Sequence, residues 1–399
     1  MSRFLLVIPP LAGHVNPAAG VGDALAGRGH EVAWVCSETF IRPLVGPRAT
    51  VYRTGTRLYR PLGDRGLAGL KSLWEGFIVP FARFTLPAVD GAIEAYRPDV
   101  VVVDQHALAG AIAAQRRGLR WASLAPGSME LTRPYRALPK VDAWISGHCV
   151  SLCAEAGLPR DETFDPRFSP YLVLACTTAA LTGGAAFPDH YALVGPMLAG
   201  RAAGPDFPWD HLHPGRRLVL VTVGTLSAEI AMDFCTRAVE ALQPLGDRLQ
   251  AILVAPDGAL PDPPPHILVM PQVPLLELMP HLDAVVCHGG MNTVGEALAH
   301  GVPLVIAPIR HDQPVTAAQV AEAGAGIRVR FARVTAAQLR TAVTAVLDDT
   351  AYRSAARRVG DSFAAAGGAA AAAERLEQLA RSPAGQKRPV SSPMGPSAR

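Results

Sequence analysis

Lysine is nearly missing from this 399-residue chain, which has it only at Lys71, Lys140 and Lys387. The positive charge is therefore almost all arginine, and with a formal net charge of only +3 and no basic stripe, a nucleic-acid partner is disfavoured. Alanine, glycine and proline are abundant beside this scarcity, a mark of a GC-rich coding sequence. No D-x-D pair occurs, so a carboxylate-held divalent metal lacks its usual ligands. No G-x-G-x-x-G follows the first apolar run. Gly20 and Gly22 fall inside a helical pattern and Leu25 stands where a third glycine belongs, which disfavours a nicotinamide cofactor. No uninterrupted apolar stretch approaches the roughly twenty residues of a membrane span. The run at 4–8 is stopped by Pro9 and Pro10 before signal-peptide length. The six cysteines (Cys36, Cys149, Cys153, Cys176, Cys235 and Cys287) are dispersed, several within apolar runs, and read as reduced core thiols. His148, Cys149 and Cys153 have no second Cys/His pair at finger-like spacing. These absences predict a cytoplasmic protein with no cofactor, no metal, no nucleic acid and no stable membrane insertion.

The length exceeds what one core usually supports, so two domains of similar size are expected. Hydrophobic residues make up 49% and charged residues 18%, a globular composition apolar enough for a lipophilic pocket. Short apolar runs at 3–8, 31–36, 99–104, 121–124, 171–176 and 191–194 read as buried parallel strands, as do those at 218–223, 251–254, 267–270, 283–287, 303–307 and 326–329. Helical patterns alternate with them, which implies two doubly wound α/β sheets facing across a cleft. The expected division is 1–198, a linker at 199–217 rich in Gly, Pro, Ala and Arg, a second domain at 218–355, a terminal helix at 356–381 crossing back, and a disordered tail at 382–399. No internal repeat is detectable. Residues 56–98 carry scattered aromatics and 125–170 are irregular, read as mixed helix and loop.

The stretch 288–313, HGGMNTVGEALAHGVPLVIAPIRHDQ, organises the rest. It follows an apolar strand, turns through Gly289 and Gly290, and continues as a helix from Asn292. The first N–H groups of such a helix are unpaired and carry the positive end of its dipole, so the turn suits an anion such as a phosphate. His288, Asn292 and Thr293 add donors. Glu296, one turn on from Thr293, supplies a carboxylate for a diol, and Asp312 with Gln313 offers a further polar pair. A sugar nucleotide has matching parts.

His288, Gly290, Asn292, Thr293, Glu296, Gly301, Val302, Pro303, Asp312 and Gln313 together resemble the donor signature of the family 1 (UGT-type) glycosyltransferases of the GT-B fold. That resemblance implies two Rossmann-like domains. It also implies that His288, Asn292 and Thr293 contact a diphosphate, Glu296 the ribose, and Asp312 with Gln313 the sugar. Thr225 resembles the family's small hydroxyl residue near the β-phosphate. Gln272 and Val273 resemble its segment reading a uracil or thymine edge. Val269 departs from the aromatic that stacks on the base in many members, where a stack is worth about 1–3 kcal/mol, so UDP and dTDP both stay open. In this family the 56–98 region lines the acceptor pocket.

Sugar transfer to a hydroxyl needs a base. His14 sits beyond the first strand, in a loop by this reading, and Asp104 at the end of another strand is the candidate to hold it. The Gly13-His14 loop and that acid also resemble the family's catalytic pair. The expectation is a bacterial, inverting, metal-independent enzyme of antibiotic or other natural-product biosynthesis. It would move a UDP- or dTDP-linked sugar, glucose-like by the polar pair, to a lipophilic hydroxylated acceptor of polyketide, macrolide, phenolic or carotenoid type, as a monomer or homodimer. The alternatives are another GT-B enzyme, such as a sugar-nucleotide epimerase, or a non-catalytic sugar-nucleotide-binding helper subunit.

Overall fold

The computed structural model describes residues 1–55, 66–161, 163–198, 204–224, 228–256, 258–260 and 262–382. Its first half forms a seven-stranded sheet from β1 (Arg3–Val7), β2 (Glu31–Cys36), β3 (Thr50–Arg53), β4 (Val100–Asp104), β5 (Trp121–Ala125), β6 (Leu172–Ala175) and β7 (Tyr191–Leu193). The second half forms a six-stranded sheet from β8 (Arg217–Thr222), β9 (Leu249–Val254), β10 (Ile267–Met270), β11 (Ala284–Cys287), β12 (Leu304–Ile306) and β13 (Gly326–Arg328). The spatial orders are β3-β2-β1-β4-β5-β6-β7 and β10-β9-β8-β11-β12-β13. Every pairing is parallel. The halves thus repeat one winding that leaves no trace in sequence, and each reverses direction at one point, between β1 and β4 and between β8 and β11. Ligands of open parallel sheets bind beyond the carboxyl ends of the strands at such switch points.

Successive residues of each central strand serve opposite cores. Leu5, Val7, Val101 and Val103 face one layer of helices, and Phe4, Leu6, Val100 and Val102 the other. The second sheet divides likewise, Val219 and Val221 against Leu218 and Leu220. Burial on both faces is why these strands are unbroken β-branched and leucine runs, each fully buried side chain contributing about 1.5–3 kcal/mol.

Several expectations need correction. The edge strand β3 was not anticipated, because its TVYR sequence is half-exposed and carries no apolar run. The 125–170 region is mixed helix and loop as expected, and 139–155 of it form one 17-residue helix. This helix buries only Ile145, Cys149, Leu152 and Cys153, a stripe too thin to give a strong period. In the 56–98 region, Trp74, Phe77 and Phe81 are core residues and Phe84 is exposed, while Tyr59 lies outside the described residues. The span Gly66–Tyr96 is long and apolar enough to cross a membrane by length and composition, and half of its most apolar window is buried within the molecule. Of the expected linker, residues 204–216 run along the second half, with Phe207 set among Leu218, Leu278 and Leu282.

The expected single crossing helix is two. Thr350–Ala366 packs on the second half through Ala355, Ala356, Val359 and Phe363. Gly367, at φ 84°, ends it in the left-handed conformation that glycine adopts without strain. Gly368–Arg381 then lies on the first half, where Ala372, Ala373 and Leu376 join the core around Phe4 and Leu6. Thr178 with Ser362, and the Gly368 N–H donating to Val194 carbonyl, tie the crossing down. On the outer face Glu377 accepts from Arg28 at 2.7 Å and pairs with His30 at 2.9 Å. Leu376→Ala is expected to cost about 2–5 kcal/mol, as other buried leucine truncations do. Urea unfolding followed by circular dichroism checks this; an unchanged midpoint would show that the helix carries no packing load.

Candidate functional site

Both switch points carry sequence-predicted residues. The first is built by β1 and β4, neighbours in register with Val7 beside Val103. His14 is not in a loop. The helix Ala12–Gly27 starts before it and contains Pro17, so His14 occupies the first turn. Proline was misleading as a boundary signal here because burial of Val15, Ala18, Ala19 and Val21 under the sheet outweighs the hydrogen bond that Pro17 removes.

His14 Nδ1 lies 2.8 Å from Asp104 Oδ2 and 3.0 Å from Oδ1. Asp104 is fully buried and the His14 side chain is 19% exposed, so one end of the ring is anchored inside and the other reaches the cleft. Asp104 Oδ1 also accepts from the His106 backbone N–H at 2.8 Å. A carboxylate only accepts, so Nδ1 carries the proton and Nε2 keeps its lone pair. Burial by itself lowers the His14 pKa, but the Asp104 charge and hydrogen bond, aided by the Asp312 charge, outweigh it and leave the imidazole raised.

His106 was missed. Its ring lies 4.6 Å from that of His14, and its Nδ1 is buried without a hydrogen-bond partner among the described residues. Burial first, then the His14, His311 and Arg167 charges, drive its pKa well below the ordinary value. The D-x-H spacing at a strand end was the available signal. His14, Asp104 and His106 place ligand atoms within 4.8 Å of one another, near enough for a metal ion by distance, although two of them are already hydrogen-bonded to each other.

The second switch point has the expected strand, turn and helix. Gly289 takes φ 90°, and Gly290 precedes the helix Met291–Ala299. His288 fills a slot walled by glycines. A Cβ at Gly224 would lie 2.7 Å from its Cε1, and one at Gly290 2.7 Å from its Nε2. His288 Nδ1 is buried with no hydrogen-bond partner among the described residues. Burial, and then the Arg310 charge, lower its pKa to about 4. His288 is therefore neutral at pH 7 and offers an N–H without a positive charge. Asn292 and Thr293 are half-buried in the first turn of the helix, and Glu296 is fully buried.

The chain after β12 turns at His311, φ 55°, into the helix Gln313–Glu322. Gln313 Oε1 accepts from the Ile309 and Arg310 N–H groups, both at 2.9 Å, so its carbonyl already holds this turn. The carbonyl half of the expected polar pair is therefore engaged within its own turn. Burial raises the Asp312 pKa, with the Glu130 charge adding to it and the His14 charge opposing. Gln272 is exposed and Val273 half-buried beyond β10, which β9 and β8 separate from β11. Thr225 lies outside the described residues.

The loops beyond β5 and β12 bring the two halves together. A Cβ at Gly127, beyond β5, would lie 3.6 Å from Asp312 Oδ2, and Ser128 donates to Gln319 at 2.5 Å in a buried contact. Asp312 thus belongs to the surroundings of His14.

Residues 217–379 match the family model of the C-terminal domain of erythromycin biosynthesis protein CIII-like proteins. The chain is similar to 4'-demethylrebeccamycin synthase of Lentzea aerocolonigenes, at 30% identity over 95% of this chain and 99% of that one. It is 31% identical to demethyllactenocin mycarosyltransferase of Streptomyces fradiae, over 95% of this chain and 87% of that one. Among solved structures, the glycotransferase of kitacinnamycin superposes with a TM-score of 0.80 at 25% identity, covering 95% of this chain and 99% of that one. Spinosyn rhamnosyltransferase SpnG complexed with thymidine diphosphate gives 0.75 at 25% identity, covering 94% and 100%.

The neutral His288 has a measurable consequence. Its pKa is about 4 in the folded protein against 6.5 for an ordinary histidine, so the unfolded chain holds an extra proton between those values. Stability is then lost as pH falls through that window. His288→Asn removes this share and is expected to lose less stability than the parent between about pH 6.5 and about pH 4.5, measured by urea unfolding. Equal losses would show that His288 is not held neutral.

Proposed function

Because the chain belongs to the family 1 (UGT-type) glycosyltransferases of the GT-B fold that serve antibiotic and other natural-product biosynthesis, we propose that it moves a sugar from UDP or dTDP to a hydroxyl of a small lipophilic acceptor, with inversion and without a metal. The observation that carries this reading is the His14–Asp104 pair at 2.8 Å, Asp104 fully buried, with Asp312 of the second half acting on His14. In the proposal residues 1–198 bind the acceptor and 218–355 the donor, and the enzyme is cytoplasmic. A solved relative complexed with thymidine diphosphate supports the dTDP option.

In the proposed step the acceptor oxygen attacks the anomeric carbon in line with the departing diphosphate. The bond from that carbon to the phosphate oxygen breaks with its electron pair on the nucleoside diphosphate, and the acceptor proton passes to His14 Nε2. Asp104 fixes the tautomer and stabilises the imidazolium formed. The unpaired N–H groups that open the helix Met291–Ala299, with the His288 N–H, Asn292 and Thr293, receive the diphosphate charge. Glu296 serves the ribose, and Asp312 with the Gln313 amide N–H serves the sugar. Thr225, Gln272 and Val273 complete the donor contacts.

His14→Ala is expected to lower kcat by about 10²–10⁴-fold, the usual scale of general-base loss, with nucleotide affinity retained. The parent's kcat/KM should rise with pH through a value above 6.5, because the His14 pKa is raised and only its neutral form accepts the proton. Asp104→Asn removes the charge that raises it, so the limb moves to lower pH while kcat falls. Initial rates across pH check both variants; unchanged turnover in His14→Ala would remove it as the base.

A further inference from the structure

Beyond the reacting hydroxyl, the cleft holds an acid that the step above does not use. Glu130 sits in the short helix Met129–Thr132 after β5 and is 7% exposed. Its Oε2 accepts from Arg167 Nη1 at 2.7 Å. Its Oε1 is buried and has no hydrogen-bond partner among the described residues. A carboxylate oxygen removed from water with no donor is costly, and such atoms in native proteins mark a place where something else binds.

Arg167 does not supply the missing donor. It is 6% exposed, and its remaining nitrogens are held by Asp165, Nε to Oδ1 at 2.9 Å and Nη2 to Oδ2 at 2.7 Å. The Arg167 carbonyl accepts from the Gln105 amide at 3.2 Å, and Gln105 lies between Asp104 and His106. The acid is thus tied to the frame that holds the base. It also borders the opposite half, because Gly127 and Ser128, just before it, approach Asp312 and Gln319. Glu130 and His14 both act electrostatically on Asp312 across the two halves.

We propose that Glu130 Oε1 is a second recognition point for the acceptor, taking a hydrogen bond from an O–H or N–H group other than the one glycosylated. It is a specificity-determining residue, and the inference rests on the reading of this cleft as the acceptor site. A carboxylate only accepts, so the partner must donate. The formal charges of Glu130 and Asp165 are offset by Arg167 and by Arg133, whose guanidinium stands 4.4 Å above the Phe168 ring. The acceptor class is a molecule with at least two hydroxyl or N–H donors.

The test uses the full chain and the dihydroxynaphthalene isomers, each paired with its monomethyl ether, with affinity read by calorimetry so that no turnover is needed. For at least one isomer the diol should bind about tenfold or more tightly than its ether, the scale of a hydrogen bond to a charged group. In Glu130→Gln the amide oxygen can keep Arg167 and turn the NH2 to the cleft, converting an acceptor into a donor. The preference then falls to about twofold or reverses, since a methoxy oxygen still accepts. Glu130→Asp, which retains the charge but shortens the reach, should also diminish it and serves if the amide variant does not fold. If Glu130 were only the counter-ion of Arg167, diol and ether would weaken together and the ratio would persist. A persisting ratio overturns the inference, as does a parent protein that prefers no diol over its ether. Failure of His14→Ala to stop turnover would count against the base and leave these ratios untouched.

Discussion

A single buried carboxylate sets the geometry of the cleft. Asp104 has no exposure, and it tolerates burial because it accepts from His14 on one side and from the His106 backbone on the other. Without those donors a carboxylate in this position would be strongly disfavoured. With them it fixes the His14 tautomer, directs Nε2 to the open side and raises the imidazole pKa against the pull of burial. Everything else at the site is arranged around that orientation: β1 and β4 adjoin at the switch point, and the Asp312 loop closes from the other half.

The two halves solve opposite electrostatic problems with the same winding. At the first switch point a buried negative charge holds an imidazole that can take up a proton. At the second, burial and a neighbouring arginine keep His288 neutral, at about 4, so an anion there would meet helix N–H groups and an uncharged imidazole. A strand order that places a loop and a helix start at the carboxyl edge of each sheet makes both possible. The crossing at Gly367 ties the second half to the first.

Much of this was legible in the amino-acid order, for identifiable reasons. Strands buried on both faces must be continuous apolar runs and stood out, as did the partly exposed β7, β10 and β13; β3, half-exposed at an edge, did not. The turn after β11 was legible because Gly289 and Gly290 beside a strand end and polar helix starters leave few other readings. His14 and Asp104 were linked by chemistry, not by contact, since the order β1-β4 is a property of the sheet. The helical position of His14 was hidden by Pro17, and the role of Gln313 within its own turn was hidden because both partners are backbone groups. Glu130 and Arg167, 37 residues apart, form a pair that only folding brings together.

The proposed reaction requires that the turn after β11 receive a nucleoside diphosphate opposite His14. The most direct test is a calorimetric titration with UDP, dTDP and NAD, made on the parent protein and on His288→Ala. The prediction is that UDP or dTDP binds, NAD does not, and the substitution weakens binding by about 1.5–3 kcal/mol, the value of a hydrogen bond to a charged group. Binding of neither diphosphate, or equal affinity in the variant, would contradict it.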